Sequence, residues 1–336
     1  MKGRMDLRNT PPLSGMASEK GRLDTLKPVA DCQVAILLCT FNGQTYLPEQ
    51  LASFTHQTYA NWQLWVSDDG SKDTTLSILE HYQSSLRPGQ TRITAGPRQG
   101  FAMNFLSLVC ACDGQADYYA YADQDDIWHA DKIEHALRWL QTVPHHQPAL
   151  YCTRSELIDS VGQHVGFSKA WPRSPSFQNA LTQNIGGGNT MVFNRAARQL
   201  LVQAGADVGV VAHDWWTYLL VTACGGQVCF DTTPTLQYRQ HQNNAIGANH
   251  DLTAPLRSVG RLLQGHFKQW TTHHIAALGR PGITLTLDNQ RILQTFSQAR
   301  QKHLFGRAYG VYKSGIYRQT RLGNMGLMLG TLLGRI

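Results

Sequence analysis

YYAYADQDD, residues 118–126, decides the fold: five aromatic or small apolar residues stop without a spacer at a run holding three carboxylic acids. A short, continuous apolar stretch of this kind reads as a strand buried on both faces, the habit of parallel sheets. Two earlier stretches repeat the arrangement. Residues 34–38 are an apolar run closed by Thr40-Phe41-Asn42-Gly43, and residues 62–67 (WQLWVS) are closed by Asp68-Asp69-Gly70-Ser71. Helical patterns fill the gaps: 46–57 with Leu47, Leu51 and Phe54 on one face, a second from near Asp73 with Leu76, Ile78 and Leu79, and a third over 101–111. A short strand near Ile93 completes the alternation. The pattern predicts an α/β fold with a mostly parallel sheet and helices on both faces.

The polar residues fall where such a sheet binds ligands, beyond the carboxyl ends of its strands. Three strand ends carry them: Thr40-Phe41-Asn42, Asp68-Asp69 and the acids of 123–126. No GxGxxG follows the first strand and no GxxxxGK(S/T) occurs, so dinucleotide and P-loop readings lack their key residues.

The whole chain of 336 residues has room for one large domain with an appendage, or two ordinary domains. Its apolar fraction of 42% fits a folded protein, and its seven cysteines have no repeating spacing. They read as buried small hydrophobes in a reducing compartment, the cytoplasm. Residues 1–30 lack a signal-peptide core and read as a disordered leader; no apolar stretch reaches the ~18–20 residues of a membrane span. Charge is uneven. From 252 to 336 there are twelve Lys/Arg against one acid, Asp288, a net of +11; the leader carries +3, leaving 31–251 at −7. A basic tail on an acidic body predicts an anionic surface as the tail's partner. The tail also shows helical spacing, in Leu256, Val259, Leu263, Phe267 and Trp270 and again in Phe305, Tyr309, Tyr312 and Ile316. The domains expected are therefore a leader (1–30), an α/β domain (31–250) and a basic amphipathic helical extension (251–336).

Several groups have two readings each. Asp123 and Asp125, one residue apart at a strand end, form either an acidic turn or a partly hydrated oxygen site for Mg²⁺ or Mn²⁺ on a diphosphate. Asp68-Asp69 forms either a turn that caps a helix or a carboxylate accepting from a base or ribose. Gly186-Gly187-Gly188-Asn189 is either a flexible turn or a place of close backbone approach to a ligand. Asp214, in His213-Asp214-Trp215-Trp216, is either a helix cap or a general base held among aromatics. His241, two residues after Arg239, is either structural or a metal or phosphate contact.

In order, CTFNG (39–43), SDDGSKDTT (67–75), GPRQGFAMNFL (96–106), YADQDDIWHADKI (121–133), GGGNTMVFNR (186–195), HDWW (213–216) and YRQHQNN (238–244) resemble family 2 glycosyltransferases of the GT-A fold. The similarity spans about residues 33–247 and runs closest to the rhamnosyltransferases of bacterial surface polysaccharides such as O-antigen. It implies that Thr40, Phe41 and Asp69 hold the base and ribose, with Asn42, Asn104, Asp123, Gly187, Gly188 and Arg239 also on the donor. It implies that Asp125 and His241 bind Mn²⁺ or Mg²⁺ and that Asp214 is the catalytic acidic residue. His213 departs from the pattern, since the family more often has Glu there. The QxxRW motif of processive synthases is absent, implying one sugar per encounter.

The reaction so implied is inverting, metal-dependent transfer from a nucleotide-sugar, with dTDP-L-rhamnose first, to a glycan or lipid-linked glycan. It would take place in the cytoplasm, with the tail peripheral on the inner face of the cytoplasmic membrane. A sugar nucleotidyltransferase is the competing enzyme reading, but the turn after the first strand has no basic residue for it. A basic membrane or nucleic-acid binding module is the non-enzymatic one; no nucleic-acid motif accompanies the tail, and no nucleic-acid partner is expected.

Overall fold

Alternation divides the first strand, β1 (Val34–Thr40), between two cores: Val34, Ile36 and Leu38 pack to one side, Ala35, Leu37 and Cys39 to the other. A strand buried on both faces needs helices on both. The computed structural model, which describes residues 28–241 and 266–336, supplies them. Expectations for residues 1–27, for Gln242-Asn243-Asn244 and for Leu256, Val259 and Leu263 lie outside the described residues. β2 (Trp62–Asp68), β3 (Thr91–Ala95) and β4 (Tyr118–Ala122) join β1 in parallel, in the order β3-β2-β1-β4. The connections are α1 (Leu47–Thr55), α2 (Thr75–Ser85) and α3 (Phe101–Ala111). Strands 1 and 2 run further than their apolar stretches, so Thr40 and Asp68 are the last strand residues, paired with each other across the sheet.

The far half of the sheet is less regular. β5 (Ile127–Trp128) and α4 (Lys132–Leu140) lead to β6 (Ala149–Thr153), then β7 (Glu156–Ile158), β8 (His164–Phe167) and α5 (Phe177–Ala180). The glycine-rich run forms a short 3₁₀ turn, Gly188–Thr190, and only then β9 (Val192–Asn194), which lies antiparallel between β4 and β6. α6 (Arg195–Ala204), α7 (His213–Ala223), β10 (Gln227–Asp231) and β11 (Leu236–Arg239) follow. Seven strands form the main sheet, β10-β6-β9-β4-β1-β2-β3, and a second sheet runs β5-β11-β7-β8. In that second sheet β11 pairs antiparallel with β5, Leu236 opposite Trp128 and Gln237 opposite Ile127. Continuing this register carries residues 239–241 back alongside 123–125.

Every residue of α7 is buried. A helix hydrophobic all round needs cover on all sides, and part of it comes from the chain's end: α8 (His266–Leu278), α9 (Leu287–Gln301), α10 (Leu304–Lys313) and α11 (Arg321–Leu332). Phe267, Leu278, Phe296, Val311, Ile316 and Leu327 belong to the same buried cluster as Trp216 and Tyr121. The expected amphipathic extension therefore turns part of its apolar surface onto the α/β body. Phe267 is buried, Trp270 packs edge-on to Trp215 with ring centres 6.2 Å apart, and the Tyr317 hydroxyl donates to Ser174 O at 3.0 Å. Those aromatics cover the α/β body. All seven cysteines are free thiols.

Candidate active site

The loops after β1, β2 and β4 meet at one sheet edge and are tied to one another by side chain–backbone hydrogen bonds. Gln124 bridges two of them: Phe41 N–H donates to its Oε1 at 2.9 Å, and its Nε2 donates to Phe41 O at 3.1 Å. Gly43 leaves room for this bridge, because a Cβ there would stand 2.3 Å from Gln124 Oε1 and displace that side chain. Asn42 links the other pair of loops: its N–H donates to Ser71 Oγ at 2.8 Å, and its Oδ1 accepts from Lys72 N–H at 2.9 Å. Among the described residues, Asn42 (φ 48°) and Arg98 (φ 58°) alone of the non-glycines have left-handed backbone, and both border this edge. Such conformations persist where surrounding structure fixes them, and they gather at ligand sites.

Several predicted donor residues turn out to hold the loops themselves. Thr40 Oγ1 donates to Asp68 Oδ2 at 2.8 Å, and Asp68 Oδ1 accepts from Gly70 and Ser71 N–H. Asp69 accepts from Arg98 N–H at 2.6 Å on one oxygen and Gly100 N–H at 2.9 Å on the other, ordering the 96–100 loop. Asn104 is buried, receiving Ser67 Oγ–H at 2.6 Å and donating to Ser67 O at 3.0 Å. Arg239 is 1% exposed; it donates to Asp125 O at 3.2 Å and to Glu49 Oε2 at 2.6 Å, and its guanidinium lies over the Tyr46 ring. Thr40, Asn104 and Arg239 are thus buried at this edge with these hydrogen bonds made, whereas Phe41 is 55% exposed.

Carboxylates gather behind those loops. His241 Nε2 lies 2.8 Å from Asp125 Oδ2, the contact that the β11–β5 register brings about. Burial raises the Asp123 pKa, and the charges of Asp125 and Asp214 raise it further. Asp126 is fully buried, and its pKa is raised by burial first and then by the charges of Asp125 and Asp123; it accepts from Asn189 Nδ2 at 2.6 Å. Lys132 Nζ, lowered to about 7 by burial, donates to Asn189 O at 2.9 Å.

Asp214 sits in the first turn of α7. Oδ1 accepts from Trp215 N–H at 2.6 Å and Oδ2 from Gly188 N–H at 3.2 Å, and burial raises its pKa to about 6. The Gly188 N–H is therefore committed to Asp214. Glycine is needed at 188 for a neighbour: a Cβ there would come within 2.4 Å of His213 Nε2. The His213 ring stacks on Phe105 at 3.9 Å, meets Tyr121 edge-on and has no hydrogen-bond partner among the described residues; burial holds it neutral, lowered to about 3. Gly187 is exposed.

Crowded carboxylates repel one another, and the repulsion is relieved by protonation or by a bound cation. Among the described residues no three His, Cys, Asp or Glu side chains form a ready-made chelating group. Asp125 and His241 supply one oxygen and one nitrogen, a set that fits Mn²⁺ or Mg²⁺ if diphosphate and water oxygens complete the shell.

The family model of Glycosyl transferase family 2 matches residues 35–202, half of the chain and all three loop ends. The chain belongs to glycosyltransferase family 2. Among curated proteins, this glycosyltransferase is 28% identical over 255 residues to the dTDP-rhamnosyl transferase RfbG of Shigella flexneri, covering 72% of this chain and 84% of that one. It is 32% identical over 105 residues to the UDP-Glc:alpha-D-GlcNAc-diphosphoundecaprenol beta-1,3-glucosyltransferase WfgD of Escherichia coli, covering 31% and 39%. Among solved structures, Staphylococcus aureus TarS 1–349 superposes with TM-score 0.51 at 14% identity, covering 85% of this chain and 92% of that one. The mannosyltransferase PcManGT of Pyrobaculum calidifontis, solved with GDP-Man and Mn²⁺, gives 0.50 at 17% identity, covering 93% and 88%. These likenesses place the fold as GT-A.

The contacts of four residues at this edge have no signal in the sequence pattern: Gln124 as the loop bridge, Glu49 and Tyr46 as the seat of Arg239, and Asn189, noted there only as the end of the glycine-rich run, as the partner of both Asp126 and Lys132. Gln124 was visible only as the spacer of Asp-Gln-Asp.

Proposed function

We propose that this family 2 glycosyltransferase moves one sugar per encounter, with inversion, from a nucleotide-sugar to a hydroxyl of a glycan or lipid-linked glycan in surface polysaccharide synthesis. The observation that carries the reading is Asp214: a buried carboxylate raised to about 6, coupled by charge to Asp123 at the edge where the strand-end loops meet. A base whose pKa lies near working pH is both ionised and able to take a proton.

In this mechanism Asp214 accepts the proton of the acceptor hydroxyl as that oxygen bonds to the anomeric carbon. The carbon–oxygen bond to the diphosphate breaks on the opposite face, and the nucleoside diphosphate leaves with the electron pair. Gly188 and Trp215 N–H groups fix the carboxylate's orientation. Phe41 and Asn42, with Asp69 ordering the loop beside them, hold the nucleoside. Asp123 and the exposed Gly187 flank the sugar and diphosphate, and Thr40, Asn104 and Arg239 position the loops from below. Asp125 and His241 would hold Mn²⁺ or Mg²⁺, which when bound offsets charge on the leaving diphosphate.

The donor we assign first is dTDP-L-rhamnose, supported by the Shigella relative's match across 72% of the chain. A lipid-linked acceptor is supported by the diphosphoundecaprenol substrate in the Escherichia coli relative's name. It would be met in the cytoplasm at the inner face of the cytoplasmic membrane, an anionic surface.

Nucleoside diphosphate release, measured with dTDP-L-rhamnose, UDP-glucose and GDP-mannose in the presence of Mn²⁺, tests the reading. We expect release from one donor that depends on acceptor, and a product of inverted anomeric configuration. Pyrophosphate release from a nucleoside triphosphate and a sugar phosphate, with no glycosyl transfer, would establish a nucleotidyltransferase instead.

A further inference from the structure

Exposed large hydrophobic side chains are concentrated in the last 33 residues. Ten of the nineteen found among the described residues lie there: Leu304, Phe305, Tyr309 and Tyr312 on α10, and Leu322, Met325, Met328, Leu329, Leu332 and Leu333 on and just after α11. Singly such residues are ordinary; gathered on one surface they mark an interaction site.

Their spacing makes two faces. Phe305, Tyr309 and Tyr312 are 86%, 67% and 78% exposed and fall at i, i+4 and i+7. Leu322, Met325, Leu329 and Leu332 fall at i, i+3, i+7 and i+10 of α11. Residues at these intervals share one side of a helix. The faces join, because Tyr312 and Met328 line the same groove of 240 Å³ between the two helices, with Val311, Ile316 and Leu327 at its floor. The opposite sides are anchored, since Val311 and Leu327 are buried in the main core.

We propose that this α10–α11 surface docks on an anionic lipid bilayer, its aromatic and methionine ridge entering the headgroup region. Charge selects this occupant. The chain has no acid after Asp288, whereas residues 304–336 hold Arg307, Lys313, Arg318, Arg321 and Arg335. Lys313 lies four residues from Tyr309 and Arg321 four from Met325, so each flanks an apolar face, and both are exposed. Long cationic side chains beside an apolar ridge place their stems on it and their charges at phosphate level. Helices of this composition lie in the plane of the interface. No helix among the described residues is long and apolar enough to cross a membrane. The assignment narrows the tail's role: α8 and much of α9 cover the catalytic body, and lipid contact falls to α10 and α11. It stands apart from the donor and the chemistry, because adsorption is measured with neither substrate present.

The test is co-sedimentation of the full chain with vesicles of phosphatidylglycerol and phosphatidylcholine, against phosphatidylcholine alone, at low and high salt. Two variants accompany the wild type: Phe305→Ser/Tyr309→Ser/Tyr312→Ser, and Lys313→Gln/Arg321→Gln. All five side chains are solvent-exposed, so thermal unfolding should be unchanged. The wild type should bind the anionic vesicles and bind them less at high salt. Removing three inserting rings should lower partitioning at least ~100-fold. Removing two cations, each contributing roughly fivefold near such a surface, should lower it about 25-fold at low salt and little at high salt. Wild-type protein that stays in solution with anionic vesicles overturns the proposal, and so does a ring variant that sediments as the wild type does. A wild-type dimer that the ring variant splits, with no vesicle binding by either, shows that the face joins two copies of this chain and also overturns it.

Discussion

Replacing Asp214 by Asn isolates the proposed base from the carboxylate's structural work. The carboxylate satisfies two backbone donors, Trp215 N–H at 2.6 Å and Gly188 N–H at 3.2 Å. A carboxamide of the same shape has one oxygen, so it can keep the shorter bond while its NH₂ confronts Gly188 N–H. A buried donor left without its acceptor costs about 1–3 kcal/mol, a lowering of the melting temperature by a few degrees. Loss of a general base costs far more in rate, ~10²–10⁴-fold. Thermal unfolding, donor affinity by calorimetry and nucleoside diphosphate release should therefore separate. Stability should fall slightly, donor binding should stay within a few-fold, and turnover should collapse. The wild-type pH profile supplies a second reading. Burial raises Asp214 to about 6, so the active, ionised form is present above that pH. The rate should fall tenfold per unit as pH drops below it, and the residual activity of Asp214→Asn should lack this limb. A variant that keeps most of its turnover, or a wild-type rate flat through pH 6, would refute the assignment and leave Asp214 as the clamp on the glycine turn.

Three further outcomes follow from particular contacts. EDTA should abolish transfer and Mn²⁺ or Mg²⁺ restore it, while Asp125→Ala should resist rescue; full activity after chelation and dialysis would contradict the Asp125–His241 metal site. Gly188→Ala places a methyl 2.4 Å from a His213 ring that Phe105 and Tyr121 hold from other sides, so calorimetric stability should fall by ~1–3 kcal/mol. Gly43→Ala should displace Gln124 and uncouple the β1 and β4 loops, weakening donor binding ~10-fold (about 1.4 kcal/mol, one to two hydrogen bonds) with little loss of stability, as a titration with nucleoside diphosphate would show.

The parallel half of the fold was legible because each strand is an apolar run ending abruptly in polar residues, a pattern local in sequence. The positions of Asp123, Asp125 and Asp214 at a strand or helix end were legible for the same reason. The meeting of His241 with Asp125 is a different kind of fact. The two are 116 residues apart and are brought together by the pairing of a two-residue strand, β5, that no periodicity announces. Arg239 and Asn104 show what residue type alone leaves open. Arginine and asparagine suit a diphosphate or a sugar equally well in sequence, but here their hydrogen-bonding groups face Asp125 O, Glu49 and Ser67. Helical spacing in the tail revealed apolar faces without revealing their cover; α8 turned out to be covered and α10 bare.

That covered part of the tail packs against the segment that carries the proposed base and leads into the helices proposed to meet lipid. Trp215, the residue after Asp214, donates its indole N–H to Ala180 O at 2.7 Å and presents its ring edge-on to His274, 4.6 Å away, and to Trp270. His274 is buried without a hydrogen-bond partner among the described residues and is held neutral, lowered to about 4 by burial first. A buried imidazole against an indole is tolerable only while it stays uncharged and dry. A chain ended before residue 266 would remove that packing and expose Trp215 together with the start of α7, the segment that aims the Asp214 carboxylate. Loss of activity in such a truncation would then report a collapsed helix, and loss of vesicle binding would report the same collapse. Point substitutions on the bare face of α10 leave α8 in place, so a variant that no longer sediments with anionic lipid should still turn over a water-soluble acceptor at the wild-type rate. If soluble turnover falls in step with sedimentation, the ridge supports the catalytic body, and its exposure serves something other than lipid.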